Sequence, residues 1–416
     1  MNTICNFPDI DIRLLYFLST SSILTLLTIS KDQYNLMLSL DFVRELRILK
    51  QKDEYDVDED GNNDLVDFAA ECNFISLIKW YSESTNKFKY TRSALDDAAG
   101  NGHIKILDWF NKSKYIFKYS RYAIDKAAEN SHINILNWFK NSPYEFKYSK
   151  SAINGASANG NINVLDWFKN SSYEFKYSKK AIINASKNGH VNVLDWFSNS
   201  KYNFEYSQMC INEASNNGFV NVLDWFANSK YEFKYSHWAI DNAARNNHLN
   251  ILEWFFKSKY EFKYIHAIDW VCQEGHINIL KWFGDSGYKI KYSKNAFNNV
   301  PNIDILKWFD DSGYEFKHTT AAIDNAAAKG NIDVLKWFSE SKHEFKYTTA
   351  AIVTALFHRQ MEILKWFDDS QYEIKYTERT MHIILEDDCT DIYDYLGPNS
   401  RIIKILNSYT SKKIDI

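Results

Sequence analysis

Apolar positions along the chain recur with a period of 29 residues. The tryptophans that keep this period are Trp80, Trp109, Trp138, Trp167, Trp196, Trp225 and Trp254, and later Trp337 and Trp366. The spacing shortens to 28 residues at Trp282 and to 26 residues at Trp308. Tyr395-Leu396 stands where the next Trp-Phe pair is expected. The period predicts eleven clear repeats and a twelfth, degenerate one.

Residues 149–177 illustrate the elements that one repeat predicts. In KSAINGASANG, the alanines and Ile153 follow the i, i+3, i+4 spacing of a short amphipathic helix. NINVLDWFKN predicts a second helix whose apolar face is too wide for one neighbour, and the alternating YEFKYS predicts an extended return. A Ser or Thr that can cap the first helix recurs at Thr91, Ser120, Ser149, Ser178, Ser207, Ser236 and Thr348. Glycines suited to a left-handed helix end are Gly102, Gly160, Gly189, Gly218 and Gly330.

Two short helices cannot enclose their own apolar faces, so neighbouring repeats must stack. A buried aromatic ring covers roughly 150–250 Å², which corresponds to an upper limit of about 4–6 kcal/mol per ring. The sequence therefore predicts an all-α fold, a solenoid of about twelve helix-turn-helix repeats. The predicted boundaries are an N-terminal helical segment at 1–50, an acidic linker or turn at 51–64, the repeats at 65–398 and a C-terminal tail at 399–416.

The repeat resembles the ankyrin repeat over about residues 65–397. The residues at the ankyrin Leu, Ala-Ala, Gly-His, paired Val and paired Leu places are Ile153, Ala156, Ser157, Gly160, Asn161, Val164, Leu165, Trp167 and Phe168. The period is shorter than the ankyrin value of about 33, and Tyr-x-Phe-x-Tyr replaces the projecting hairpin. Short-period, Asn-rich and Trp-Phe-rich repeats of this kind look like those of giant DNA viruses of amoebae. The resemblance implies an ankyrin-like solenoid that binds protein partners.

The segment Phe7–Met37 belongs to no repeat and resembles an F-box. The residues that match the F-box pattern are Phe7-Pro8, Leu14, Leu15, Leu18, Ser22-Ile23-Leu24, Leu26 and Ile29-Ser30-Lys31. This resemblance implies docking to the adaptor subunit of a cullin-type ubiquitin ligase, with the repeats presenting a target. The alternative is a helical cap that shields the first repeat.

Composition limits the location and the partners. The 416-residue chain has a formal charge of −4, so a nucleic-acid partner is not expected. The apolar run Leu14–Ile29 is too short to span a bilayer and lacks the flanks of a signal peptide. The cysteines are scattered singly along the chain, which is typical of a protein in a reducing compartment. They are Cys5, Cys72, Cys210, Cys272 and Cys389. The chain is thus expected to be an intracellular, non-secreted monomer, in the cytoplasm of a host cell if it is viral.

Two arrangements suggest metal ligands. The stretch DVDEDGNNDLVD matches the spacing of a calcium loop with Asp56, Asp58, Asp60 and Asp67, and it also fits a turn that enters the first repeat. Histidines follow the helix-ending residue at His103, His132, His190, His248 and His276. Stacked helices lie roughly 8–10 Å apart, too far for a shared zinc ion, so these histidines are expected to be structural. No cofactor is predicted.

No nucleophile paired with a base and no phosphate loop is evident in the sequence, so the chain is not expected to be an enzyme. Recognition is instead expected where the repeats differ, in the residues that follow the capping Ser or Thr. The candidates for binding a partner are Arg121, Tyr122, Lys179, Lys180, Met209, His237, Trp238 and Trp270. Aromatic anchors at Trp238 and Trp270 would suit a binding hot spot, and packing against a neighbouring repeat is the alternative. A purely architectural role is a further alternative.

The shortened repeat at Ser293–Trp308, which contains Pro301, lacks part of its first helix. It is expected to kink the solenoid or to open a notch in it.

Overall fold

Paired α-helices, one pair per repeat, make up this computed structural model, which describes residues 64–84, 88–377 and 390–414. Within these ranges no β-strand occurs, so the predicted all-α fold is confirmed. The helices are α1 (Asp64–Glu71), α2 (Ile75–Ser84), α3 (Ser93–Gly100), α4 (Ile104–Lys112), α5 (Arg121–Glu129), α6 (Ile133–Asn141), α7 (Lys150–Ala158), α8 (Ile162–Lys169), α9 (Lys180–Lys187), α10 (Val191–Ser198), α11 (Met209–Asn216), α12 (Val220–Asn228), α13 (Trp238–Arg245), α14 (Leu249–Lys257), α15 (Ala267–Glu274), α16 (Ile277–Asp285), α17 (Ile303–Ser312), α18 (Ala321–Ala328), α19 (Ile332–Glu340), α20 (Thr349–Phe357), α21 (Met361–Asp369), α22 (Thr390–Leu396) and α23 (Arg401–Ile414).

The contacts divide the chain into two compact units, Met1–Cys210 and Ile211–Ile416. In the first unit, the first helices α3, α5 and α7 pack side by side, and so do the second helices α8 and α10. In the second unit, α18 packs against α20, and α19 against α21. Within each unit the predicted stacking of repeats is confirmed. The F-box-like segment and Asp56, Asp58 and Asp60 lie outside the described residues.

The first helix α7 begins and ends as the sequence predicts. The Ser149 hydroxyl accepts a hydrogen bond from the Ser151 N–H at 3.1 Å, which satisfies one open donor of the first turn of α7. After α7 the chain turns through Gly160, whose φ is 72°. A Cβ at Gly160 would lie 2.8 Å from Nδ1 of His190 in the next repeat. Glycine is therefore required there both by the left-handed backbone and by the close neighbour.

An Asp or Asn side chain joins most of the first helices to the cap of the next. Asp125, on α5, accepts hydrogen bonds from the Ser149 N–H at 2.8 Å and from its hydroxyl at 2.6 Å. Asn154 makes the corresponding contacts with Ser178. We call this contact the Asp–Ser clamp. Equivalent pairs are Asp67–Thr91, Asp96–Ser120, Asn212–Ser236, Asp269–Ser293 and Asp324–Thr348.

The recurring aromatic residues form a stack that runs from repeat to repeat. The ring of Phe146 lies 4.1 Å from that of Tyr173 and 5.5 Å from that of Trp167, measured between centroids, with both pairs stacked. Tyr148 meets Phe168 at 5.2 Å. We call this stack the aromatic spine. It consists of the Tyr-x-Phe-x-Tyr rings and the Trp-Phe pair of each second helix. Each such ring pair contributes about 0.5–1.5 kcal/mol beyond the burial of its area.

Polar atoms of the spine rings also bond to neighbouring repeats. The Tyr177 hydroxyl donates to the Asn203 carbonyl at 2.7 Å, and the Trp167 indole N–H donates to the Asn137 side chain at 2.8 Å. The ring edges are thereby satisfied although the ring bodies are packed. The alternating pattern is confirmed at residues 144–148, where half-buried rings alternate with the exposed Glu145 and Lys147.

The irregular repeats keep the same core. A 3₁₀ helix at Lys294–Phe297 replaces the first helix of the shortened repeat, and Phe297 packs against Phe309 and Phe316. In the degenerate last repeat, α22 buries Ile392 and Leu396 at the places of the earlier Ile and Phe. The predicted tail contains α23, which begins at Arg401. The guanidinium of Arg401 donates to the carbonyls of Ser370 and Tyr372.

We predict that Asp125→Ala raises hydrogen exchange at the Ser149 amide and destabilises the chain by about 1–3 kcal/mol, because the half-buried Ser149 donors lose their acceptor. Asp125→Asn is the matched control, since Asn154 and Asn212 fill this role in other repeats. Amide exchange measured by mass spectrometry, with urea unfolding, tests both variants. Equal protection of the Ser149 amide in the Ala and Asn variants would contradict the Asp–Ser clamp.

We also predict alkaline unfolding from the spine tyrosines. Burial raises the pKa of Tyr90, Tyr148 and Tyr292 from 10.0 to about 12. Because the folded-state pKa lies above the unfolded one, the resulting stabilisation is fully present below pH 10 and is lost as the pH rises through about 12. Phenolate absorbance and circular dichroism should therefore change together in that window. Titration of every tyrosine near its ordinary pKa, with the helices intact, would contradict this.

Candidate functional site

The column of histidines is structural. The His103 ring lies 2.8 Å, at Nε2, from the Glu71 carbonyl oxygen, and His276 makes the same contact with the Arg245 carbonyl oxygen at 2.8 Å. Burial lowers the pKa of His103, His132 and His248, which favours the neutral ring. These contacts agree with the expected structural role of the histidines, and they show that His103 and His276 bond to the end of the preceding first helix.

Within the described residues, no group of three or more His, Cys, Asp or Glu side chains is placed to hold a metal ion. Of the four suggested calcium ligands only Asp67 is described. It lies in α1, and its carboxylate accepts from the Thr91 N–H at 2.9 Å as part of an Asp–Ser clamp. The calcium loop stays a prediction.

The candidate residues of the first unit lie at the starts of α5, α9 and α11. The Arg121 guanidinium lies over the Tyr122 ring, 5.7 Å from its centroid. Tyr122 and Met209 are exposed, as are Lys179 and Lys180. The structure brings Arg121 and Tyr122 into contact. The other three residues occupy the same edge of successive first helices.

In the second unit, Trp238 and Trp270 lie against each other. Trp238 begins α13 and Trp270 lies in the next first helix, α15. Their ring centroids are 5.6 Å apart and the planes are inclined by 23°, so the rings are stacked. Trp238 is 43% exposed. We call these two residues the Trp pair. Of the tryptophans, only these two lie outside the repeating Trp-Phe column.

Polar and cationic groups surround the Trp pair. His237 lies 5.0 Å from Trp238 and His266 lies 5.7 Å from Trp270, measured between ring centroids. The Arg245 guanidinium lies over Trp270 at 5.2 Å and contacts Glu274 at 3.4 Å. A cation over a Trp face at an exposed site contributes about 0.5–1 kcal/mol. The pair is therefore held in one arrangement by its neighbours.

An open groove of about 940 Å³ adjoins the Trp pair and includes His237 in its wall. Phe256, Ile265 and Tyr288 are exposed apolar side chains of its lining. The residues that define this groove, which we call the lysine groove, are Tyr235, His237, Phe256, Glu261, Phe262, Lys263, Tyr264, Ile265, Tyr288, Lys289 and Lys291.

The lysine groove lies where the repeat is one residue short. Ile265 occupies the place of a capping Ser, so no hydroxyl faces Asp241. The buried Asp241 accepts instead from the backbone N–H groups of Ile265, at 3.0 Å, and His266, at 3.1 Å. Burial raises the pKa of the Asp241 carboxyl. The repeat that contains Ile265 has thus replaced a capped helix start with an exposed apolar side chain.

The groove residues Phe256, Ile265, Tyr288 and Lys289 are absent from the sequence-based candidates. Phe256 stands where Ala227 and Gly284 lie in the neighbouring repeats, and Lys289 stands at a Glu place. Comparison of the ends of the second helices and of the five-residue segments would have revealed both departures. Both departures lie outside the residues that follow the cap, where recognition was expected.

No protein-family model matches the chain, and no curated protein matches it either. Two solved structures that match are of the pentatricopeptide repeat protein PPR10 in complex with an 18-nt psaJ RNA element, one of them a cysteine-to-serine variant. The identities are 9% and 8%, and the TM-score is 0.38 for both. The matches cover 92% of this chain, and the chain spans 64% of the length of those proteins.

The expectation that the chain has no nucleic-acid partner is wrong. It rests on bulk charge, whereas the helical-repeat proteins found in the comparison were solved with RNA bound. Net charge averages over the whole chain and does not report the charge of one groove. Net charge alone therefore does not exclude nucleic acid as a ligand.

None of the described helices is both long enough and apolar enough to cross a bilayer.

Proposed function

We propose that this chain is a non-catalytic scaffold of helical repeats that binds a protein partner at the Trp pair and the adjoining lysine groove. The observation that carries the proposal is the stacked pair of the exposed Trp238 and the half-buried Trp270 outside the aromatic spine. The spine rings are already engaged with neighbouring repeats. The Trp pair is large, apolar at its surface and not required by the repeat.

The Trp pair has the properties of a binding hot spot. Tryptophan is enriched among residues whose truncation weakens an interface most. Here the contacts with His237, His266 and Arg245 hold the two rings in place before a partner arrives. Pre-ordering of side chains lowers the entropy that binding would otherwise cost. A purely architectural chain would gain little from large exposed rings at this edge.

The assignment of the repeats to the ankyrin type is part of this proposal. Its support is the order of a short helix, a left-handed turn such as Gly160 and a second short helix, together with the residue pattern of each repeat. The likeness to giant-virus repeats likewise stays an inference from sequence.

The role of a ubiquitin-ligase adaptor depends on residues 1–50, which lie outside the described residues. It stays a second hypothesis. Affinity capture from amoebal lysate, with full-length protein and with a chain that lacks these residues, tests it. Selective loss of an adaptor and a cullin from the shorter chain would support the adaptor role. Identical partners without ligase subunits would favour a cap.

We predict that Trp238→Ala/Trp270→Ala abolishes capture of the principal partner. A hot-spot truncation costs about 2 kcal/mol or more, so with that partner purified the Kd should rise by about thirtyfold or more. The fold should persist, because neither ring belongs to the spine. Phe357→Ala is the matched control, as it removes an exposed ring of the second unit that lies outside the aromatic spine and the lysine groove.

Unchanged capture by the Trp variant would contradict the proposed site. Loss of the captured proteins after nuclease treatment of the lysate would identify nucleic acid as the ligand and would overturn a protein-binding role.

A further inference from the structure

The lysine groove carries a reversal of charge within the repeating pattern. In the second unit, the second place of the segment Tyr-x-Phe-x-Tyr is a glutamate at Glu232, Glu261, Glu315, Glu344 and Glu373. In the segment YKIKY this place is Lys289, followed by Lys291. The reversal puts two ammonium groups where the neighbouring segments carry one cation and one anion.

The neighbouring segments neutralise their own lysines. Lys263 contacts Glu261 at 3.0 Å and Lys317 contacts Glu315 at 3.0 Å, in each case two residues apart. For Lys289 and Lys291, no ion pair with a carboxylate occurs within the residues that the structure describes. These two charges therefore lack the counter-charge that the repeat normally supplies.

The backbone that carries the two lysines is fixed. The Tyr264 hydroxyl donates to the Lys289 carbonyl at 2.7 Å and accepts from the Lys291 N–H at 3.3 Å. Both ammonium groups are thus tethered to one held segment in the wall of the groove. A pre-organised cation pair suits a carboxylate better than two mobile lysines would.

Apolar surface lies beside this cation pair. Phe256 is 43% exposed, and its ring meets Trp282 at 5.6 Å and Tyr288 at 5.8 Å, both edge-on. The corresponding residues of the neighbouring repeats are small, Ala227 and Gly284. The groove therefore offers an apolar contact next to two positive charges.

We propose that the lysine groove binds an extended acidic segment of the partner protein. A carboxylate of that segment lies between Lys289 and Lys291, and a neighbouring apolar side chain packs on Phe256. This inference rests on the proposed function, since it names the class of partner. The complementary charge sets the orientation of the segment and the salt dependence of binding.

A peptide fits these observations better than a single-stranded nucleic acid. Nucleic acid needs a row of cations along the backbone together with free ring faces for the bases. In this groove Lys263 is already paired with Glu261, and Tyr288 packs on Phe262 at 4.7 Å. The Trp pair stacks on itself at 5.6 Å, which leaves no gap for a base between its rings.

Fluorescence anisotropy with full-length protein tests the proposal. The probe is a fluorescein-labelled peptide in which Glu alternates with Phe, and the comparison probes carry Lys or Gln in place of Glu. A labelled oligouridylate of equal length is the fourth probe. We expect the Glu probe to bind, the Gln probe to bind more weakly and the Lys probe not to bind. Added salt should weaken the Glu probe most.

Charge reversal by Lys289→Glu/Lys291→Glu should weaken the Glu probe by about tenfold or more, equivalent to about 1.4 kcal/mol. Lys317→Glu/Lys346→Glu is the matched control, because it makes the same change of charge at lysines that pair with Glu315 and Glu344. This control should bind as the natural chain does. Phe256→Ala should weaken the Glu probe while leaving its salt dependence intact.

Three results would overturn the inference: no binding of the Glu probe, equal binding by the charge-reversed chain and the natural chain, or selective binding of the oligouridylate. Capture from lysate with the Trp variant and the lysine variant distinguishes failure of the acidic-segment inference from failure of the proposed function. If the Trp variant loses the partner and the lysine variant keeps it, the scaffold role stands and the acidic segment is excluded. If both variants keep it, both proposals fail.

Discussion

Contact between successive repeats is the constraint on which the molecule depends. A pair of helices of eight to ten residues, such as α7 and α8, buries only one side of its apolar surface against itself. The remaining side is covered when Phe146 stacks on Tyr173 and Trp167 of the next repeat. The Asp125 carboxylate then sets the position of that repeat through Ser149. Apolar area supplies the stabilisation, and the buried hydrogen bonds specify the register.

The same constraint explains where recognition can occur. A residue that maintains the stack is poorly suited to contact a partner, because its ring and its polar atoms are already engaged. Surface chemistry must therefore come from places that the stack leaves to vary, such as the first turns of the first helices. In the second unit Trp238 stacks on Trp270, and His237, which contacts Trp238, lines the same groove as Phe256 and Lys289. That concentration distinguishes them from scattered exposed side chains, which are normal on any surface.

Much of this structure follows from the sequence because the repeat presents the same signals many times. The period, the caps at residues such as Ser149 and the left-handed Gly160 are all local signals, and the structure agrees with them. The Asp–Ser clamps were not predicted, since an Asp in a polar helix face has the pattern of a solvated residue. Only the tertiary contact shows that Asp125 is buried. Packing of Trp238 and Trp270 against a neighbouring repeat was one of the two alternatives offered by the sequence. That the two rings stack on each other could not be predicted, because they occupy different turns of their helices.

The repeat that contains Ile265, next to the Trp pair, lacks part of the pattern that stabilises the other repeats. With Ile265 at the place of a Ser, the fully buried Asp241 bonds only to backbone N–H groups in this contact, and its pKa is raised by burial. A hydroxyl at residue 265 would restore the clamp, yet the chain carries an exposed isoleucine beside exposed aromatic rings and an uncompensated lysine pair. Departures from a stabilising pattern are expected where function constrains the residues. Their coincidence at one groove argues that this edge of the second unit is selected for contact with a partner and not for the stability of the stack.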